Sequence, residues 1–187
     1  MERKLRALII NSCKKEKCKY LLLKGKVYSF CDCDSNNRPP HFHSSECKNY
    51  LVFKVNISEH SHIIIMDKCI LNNTDFPDDK KVDFLFVNLK KKVLCIIEMK
   101  STKTKKRKER KREAYEQLEE VLAILRKSFS LKDFSIYAIA CVGNKKTIPA
   151  TLASETNRRV RFKELGAELC NGCEIEEFPN TPCRRNR

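Results

Sequence analysis

Two apolar runs, Val82–Leu89 (VDFLFVNL) and Val93–Lys100 (VLCIIEMK), are separated by little more than Lys90 and Lys91. A gap that short admits only a tight antiparallel hairpin. With the turn centred between the two lysines, Leu89 faces Lys92, Val87 faces Leu94, Leu85 faces Ile96 and Asp83 faces Glu98. Opposed residues of an antiparallel pair lie about 4.5–5.5 Å apart at Cβ. Two carboxylates therefore meet on one face, at the end of strands that are otherwise apolar. Lys100, two residues beyond Glu98, points to the same face. Like charges in that position destabilise a sheet unless a cation lies between them, and hard oxygen donors select Mg2+ or Mn2+. A neighbouring lysine orients a water beside such an ion as the ammonium, or deprotonates it as the neutral amine once a nearby cation lowers its pKa. These are the parts that phosphodiester hydrolysis needs: an attacking water, charge stabilisation at phosphorus and help for the leaving oxygen.

The rest of the chain supplies a sheet around this hairpin. His62–Leu71 (HIIIMDKCIL) is rich in β-branched residues and ends at Asn72-Asn73, so it reads as a strand. Ala114, Leu118, Val121, Leu122, Leu125 and Phe129 recur at spacings of three and four, which predicts an amphipathic helix. Phe134–Val142 is almost wholly apolar and predicts a strand buried on both faces. Upstream, Ser44 or Ser45 suits the cap of a short helix through Lys54, although Val52-Phe53-Lys54-Val55 also suits a strand. Beyond Gly143 the chain loosens through TIPATLASETNRR, with Val160–Leu165 and Glu174–Phe178 as brief final elements. The order predicts an α/β fold: a mixed central sheet with the hairpin in its middle, flanked by helices.

Asp83 and Glu98-Met99-Lys100, followed by a long helix and a strand, resemble the PD-(D/E)xK nuclease superfamily over roughly residues 44–142. The resemblance implies a restriction-endonuclease-like core and a Mg2+-dependent endonuclease acting on phosphodiester bonds. It implies that Asp83, Glu98 and the Met99 carbonyl hold the metal, and that Lys100 takes part in catalysis. Gln117 matches a Gln that several branches carry on the following helix, with Val121 where some have Tyr. Glu46 is the candidate for the family's additional acid, with Glu59 its rival. Val82 stands where the motif has Pro. Many small chains of this fold work as homodimers, because cutting two strands needs two sites.

Charge agrees with a polyanionic partner. The 187 residues hold 39 Lys and Arg against 24 Asp and Glu, a formal charge of +15. Such an excess concentrates nucleic acid, DNA more than RNA on the family resemblance. Lys103, Lys105, Lys106, Arg107, Lys108 and Arg110 start just beyond Lys100 and suit phosphate contacts; the same run also suits a solvated helix face or a nuclear-localisation cluster. Tyr115 would stack on a base or, as the preferred reading, cover the core edge. No run reaches the ~18 apolar residues of a membrane span, and MERKLRALII lacks the features of a signal peptide, so the expectation is a cytoplasmic chain with no membrane partner.

Eleven cysteines in such a compartment are expected to stay reduced, which leaves burial or metal ligation. Cys69, Cys95 and Cys141 lie in apolar runs and read as buried. Residues 1–47 read as a loop-rich, Cys/His-rich N-terminal region with a short hairpin across Lys24–Lys26, ahead of a nuclease-like domain over 48–187. Cys13, Cys18, Cys31 and Cys33 could form a tetrahedral structural Zn2+ site, with His41, His43 and Cys47 as alternative ligands. Cys170, Cys173 and Cys183 form a second cluster; the preferred reading is free thiols, and some relatives within the superfamily hold an iron–sulfur cluster with cysteines so placed. His60 and His62 read as surface residues. The competing functional class is a non-catalytic nucleic-acid-binding or adaptor module with a zinc-stabilised N-terminus.

Overall fold

The structure is a computed structural model that describes residues 20–23, 26–31, 41–42, 51–57, 61–66, 82–101, 106–143, 148–149 and 155–175. In chain order the elements are β1 (Tyr20–Leu23), β2 (Lys26–Cys31), β3 (His41–Phe42), β4 (Val52–Ile57), β5 (Ser61–Ile65), β6 (Phe84–Asn88), β7 (Val93–Met99), α1 (Arg107–Ser128), β8 (Ser135–Cys141), β9 (Ile148–Pro149), α2 (Thr156–Glu164), β10 (Glu168–Asn171) and β11 (Glu174–Ile175). One sheet has seven strands in the order β1-β5-β6-β7-β8-β10-β9, and a second has four in the order β11-β4-β2-β3. The fold is α/β with mixed sheets. Strands β1, β5, β6 and β7 pair antiparallel, whereas β7, β8 and β10 run parallel. Parallel neighbours need a crossover, and α1 and α2 provide the two.

Strands β6 and β7 are apolar on both faces because both faces are covered. Leu85, Val87, Leu94 and Ile96 pack with Ala114, Leu118, Val121, Leu122 and Leu125 of α1 and with Phe162 of α2. Phe84, Phe86, Cys95 and Ile97 pack against Phe30, Phe53, Val55 and Ile175 of the four-stranded sheet. The layers are therefore helices, large sheet, small sheet. Phe84 is tilted against Phe30 and Phe53, with ring centroids 5.5 and 5.8 Å apart, so aromatic pairs fill the space between the sheets.

Several expectations are corrected. No hairpin crosses Lys24–Lys26: β1 pairs with β5 in the large sheet, whereas β2 pairs with β3 and β4 in the small one. The strand alternative holds at Val52–Ile57, whose inward residues Phe53 and Val55 meet the inter-sheet core. The segment read as loose ends in a helix, Thr156–Glu164, which the sequence conceals because Phe162 is its one buried residue. The hairpin turn spans Leu89–Lys92 rather than two residues; the Asn88 side chain accepts the Lys91 N–H at 2.8 Å, and Lys92 takes φ 52°. Cys141, expected as a buried thiol, is buried but bonded to Cys173 in a disulfide, their Cα atoms 4.8 Å apart. Cys95 is a free, buried thiol, and Cys31 is buried.

Candidate active site

The hairpin ladder pairs Phe84 with Ile97, Leu85 with Ile96 and Val87 with Leu94, the expected register. One step further places Asp83 opposite Glu98. Both ends are held by their neighbours: the Met66 N–H donates to the Asp83 carbonyl at 2.9 Å, and the Lys100 N–H donates to the Cys141 carbonyl at 2.9 Å. By strand alternation Asp83, Glu98 and Lys100 continue the series of Leu85, Leu94 and Ile96 that faces the helices.

Both acids are buried, Asp83 at 6% and Glu98 at 2% exposure. Asp83 Oδ2 accepts the Met99 N–H at 2.5 Å, so the carboxylate takes the place of a ladder carbonyl where the strand has ended. Lys100 Nζ lies 2.7 Å from Glu98 Oε1, and Glu98 Oε2 is sealed from solvent. Burial pulls the Lys100 pKa down, but the Glu98 charge and hydrogen bond, with the charges of Asp83 and Glu113, outweigh it and leave the pKa above the usual lysine value. Lys100 is thus held as an ammonium that neutralises Glu98.

Glu113 acts on Lys100 from the first turns of α1. Gln117 stands one turn further along the same flank and is half-buried. Glu46 and Glu59 lie outside the described residues. Among the described residues no group of three or more His, Cys, Asp or Glu side chains is arranged to hold a metal ion. What the hairpin offers is a pair of buried carboxylates. That pair fits Mg2+, which is typically held by one or two carboxylates and keeps several waters.

No protein-family model, curated protein or solved structure matches this chain.

The remaining candidates divide. Lys106 and Lys108 are exposed at the start of α1. Arg107 is half-buried and donates from Nη2 to the Val142 carbonyl at 2.9 Å, while Arg110 pairs with Glu113 at 2.9 Å. Gly143 has φ 86° and would set a Cβ 3.2 Å from Arg107 Nη2, so a glycine is needed where the guanidinium lies. Lys103 and Lys105 are outside the described residues. Of the zinc candidates, Cys31 and His41 pair across β2 and β3, with Sγ 3.5 Å from Nε2. Cys13, Cys18, Cys33, His43, Cys47 and Cys183 are outside. Among the described residues no helix is long and apolar enough to cross a membrane.

A second polar cluster escaped the sequence. The Tyr115 hydroxyl lies 2.7 Å from Asn171 Oδ1 and 3.0 Å from Glu155 Oε1, and its single proton serves one at a time. Asn171 Nδ2 donates to Glu155 Oε2 at 3.2 Å, and Lys111 pairs with Glu155. Burial, then the Glu155 charge, raises the Tyr115 pKa far above that of a free tyrosine. The available signal was the spacing of Lys111 and Tyr115, one turn apart on α1. Glu155 and Asn171 carry no pattern of their own.

Proposed function

We propose that this chain is a metal-dependent nuclease of the restriction-endonuclease-like class, hydrolysing phosphodiester bonds in nucleic acid, DNA more than RNA. The observation that carries the reading is the pair of buried acids facing each other across the hairpin, with Lys100 bound to one of them. Natural sheets avoid opposed carboxylates because they repel, and burial in an apolar layer strengthens the repulsion. A site that accepts this cost is suited to a divalent ion.

Asp83, Glu98 and the Met99 carbonyl would hold Mg2+ or Mn2+. A bound ion supplies charge stabilisation at phosphorus and activates water. Lys100, fixed by Glu98, orients the attacking water. Gln117 lines the helix side of the site, and the cations at the start of α1 hold the strand.

Wild-type protein should cut plasmid or single-stranded DNA with Mg2+ or Mn2+ and not with EDTA. Lys100→Met should lower the rate about a hundredfold or more; equal cleavage by the two proteins overturns the reading. One observation favours a non-catalytic nucleic-acid-binding module: Asp83 already serves the Met99 N–H and Glu98 already serves Lys100, so both acids have structural work. That reading expects salt-dependent binding with no divalent-dependent turnover.

A further inference from the structure

The geometry points to a second subsite beside the acid pair, in which Lys111 and Arg107, braced by Glu155, Tyr115 and Asn171, bind a backbone phosphate of the same nucleic-acid strand. It rests on the nuclease reading for its ligand.

Glu98, Ala140 and Asn171 lie in register across β7, β8 and β10. Strands two places apart are separated by about 10 Å, so the Asn171 cluster stands that far from Glu98 along one row. The row lies at the carboxyl ends of three parallel strands, where open α/β sheets take their ligands. Each end of the row carries the same device: a buried carboxylate fixing an ammonium that reaches the surface. Glu98 and Lys100 have side-chain exposures of 3% and 23%, and Glu155 and Lys111 have 8% and 23%.

A buried ion pair contributes little net stability. What it does provide is a cation held in one place. An ammonium has three donors and a guanidinium five. Lys111 spends one on Glu155, and Arg107 spends one on Val142, which leaves donors on both. Arg107, Lys111 and Tyr115 follow one another by single turns, so the two cations form one stripe above the end of β8. A strand whose scissile phosphate sits at the acid pair, and which runs on across β8 toward β10, presents its next charge to this stripe.

The test measures binding of a fluorescein-labelled single-stranded DNA and an RNA of the same sequence, in EDTA, across a salt series. Lys111→Met/Glu155→Gln removes the pair without leaving a buried charge. It should bind about fivefold more weakly near 0.1 M salt and lower the slope of log K against log salt by about one. Glu155→Gln alone keeps the braces and the ammonium and should bind at least as tightly as wild type. With Mg2+ and DNA, the double variant should raise KM more than it lowers kcat. Arg107→Met carries the same slope expectation should the double variant fail to fold.

A wild-type slope and affinity in a folded double variant overturn the subsite. So does Glu155→Gln weakening binding as much as the double variant, because the cluster is then a staple between α1, α2 and β10. Equal losses on DNA and RNA support a phosphate contact, whereas a loss on RNA alone means a 2′-hydroxyl contact and overturns it. Wild-type protein that binds but never cuts overturns the nuclease reading, and the slope still decides the subsite. Wild-type protein that binds neither probe overturns the subsite.

Discussion

Asp83 joins two roles that one substitution separates. Its Oδ2 caps the Met99 N–H, which an asparagine carbonyl oxygen can still do, and its charge faces Glu98 across the hairpin. Asp83→Asn should therefore melt at or slightly above the wild-type temperature in EDTA, since a repulsion is relieved. Wild type should gain stability with Mg2+, by about 2.7 kcal/mol at a hundredfold excess over Kd, and the variant should not. Thermal melts with and without Mg2+ check this; a variant that gains as much as wild type removes Asp83 from the metal site. Tyr137 gives a second expectation. Its burial, then the charges of Glu168 and Cys95, pushes its pKa up to about 12 from an ordinary value of 10. The folded chain keeps a proton that the unfolded chain sheds between those values. The stability this gives is whole below pH 10 and is lost as pH rises through 12. Tyr137→Phe should flatten that loss, leaving the part due to Tyr115, as denaturant titrations across the range would show.

Helix α1 carries most of the helix-side core. Leu122 is fully buried between the helix and the large sheet, and Leu122→Ala should cost about 2–5 kcal/mol in denaturant unfolding; a cost under 1 kcal/mol would mean that the layer repacks freely. This helix and the β6–β7 hairpin were legible in the sequence because each carries a repeating apolar signal, at 3.6 residues in one and on both faces of a short run in the other. The register of Asp83 and Glu98 followed from the hairpin alone. α2 was not legible, because a helix that buries only Phe162 leaves no stripe. Nor were the partners of β1 and β2, which lie dozens of residues away in two different sheets. Arg107 and Lys108 read alike as members of one charge run, yet one is tied to Val142 and the other is exposed. That difference comes from which side of a helix meets a strand end, and a run of like charges carries no such phase.

At the scale of the molecule, the large sheet is covered on one side by helices and on the other by a second sheet, and the Cys141–Cys173 bond ties its strand β8 to the turn before β11. The Cys173 carbonyl in turn accepts the Lys54 N–H of β4 at 2.8 Å, so the bond sits where the two sheets meet. Sequence alone argued for thiols here, because the expected compartment is reducing, whereas the structure joins two cysteines 32 residues apart. Closing a loop of that length is worth about 2–4 kcal/mol. Cys173→Ser should lose that much, and a dithiol reductant should lower the melting temperature of wild type by more than that of the variant, which keeps the disulfide at Cys170; a reductant-insensitive wild type removes the bond from the stability of the fold. The same bond has a consequence for a protease-nicked chain. A single cut anywhere between Cys141 and Cys173 yields two fragments that still travel together on a denaturing gel and part only when the sulfurs are reduced.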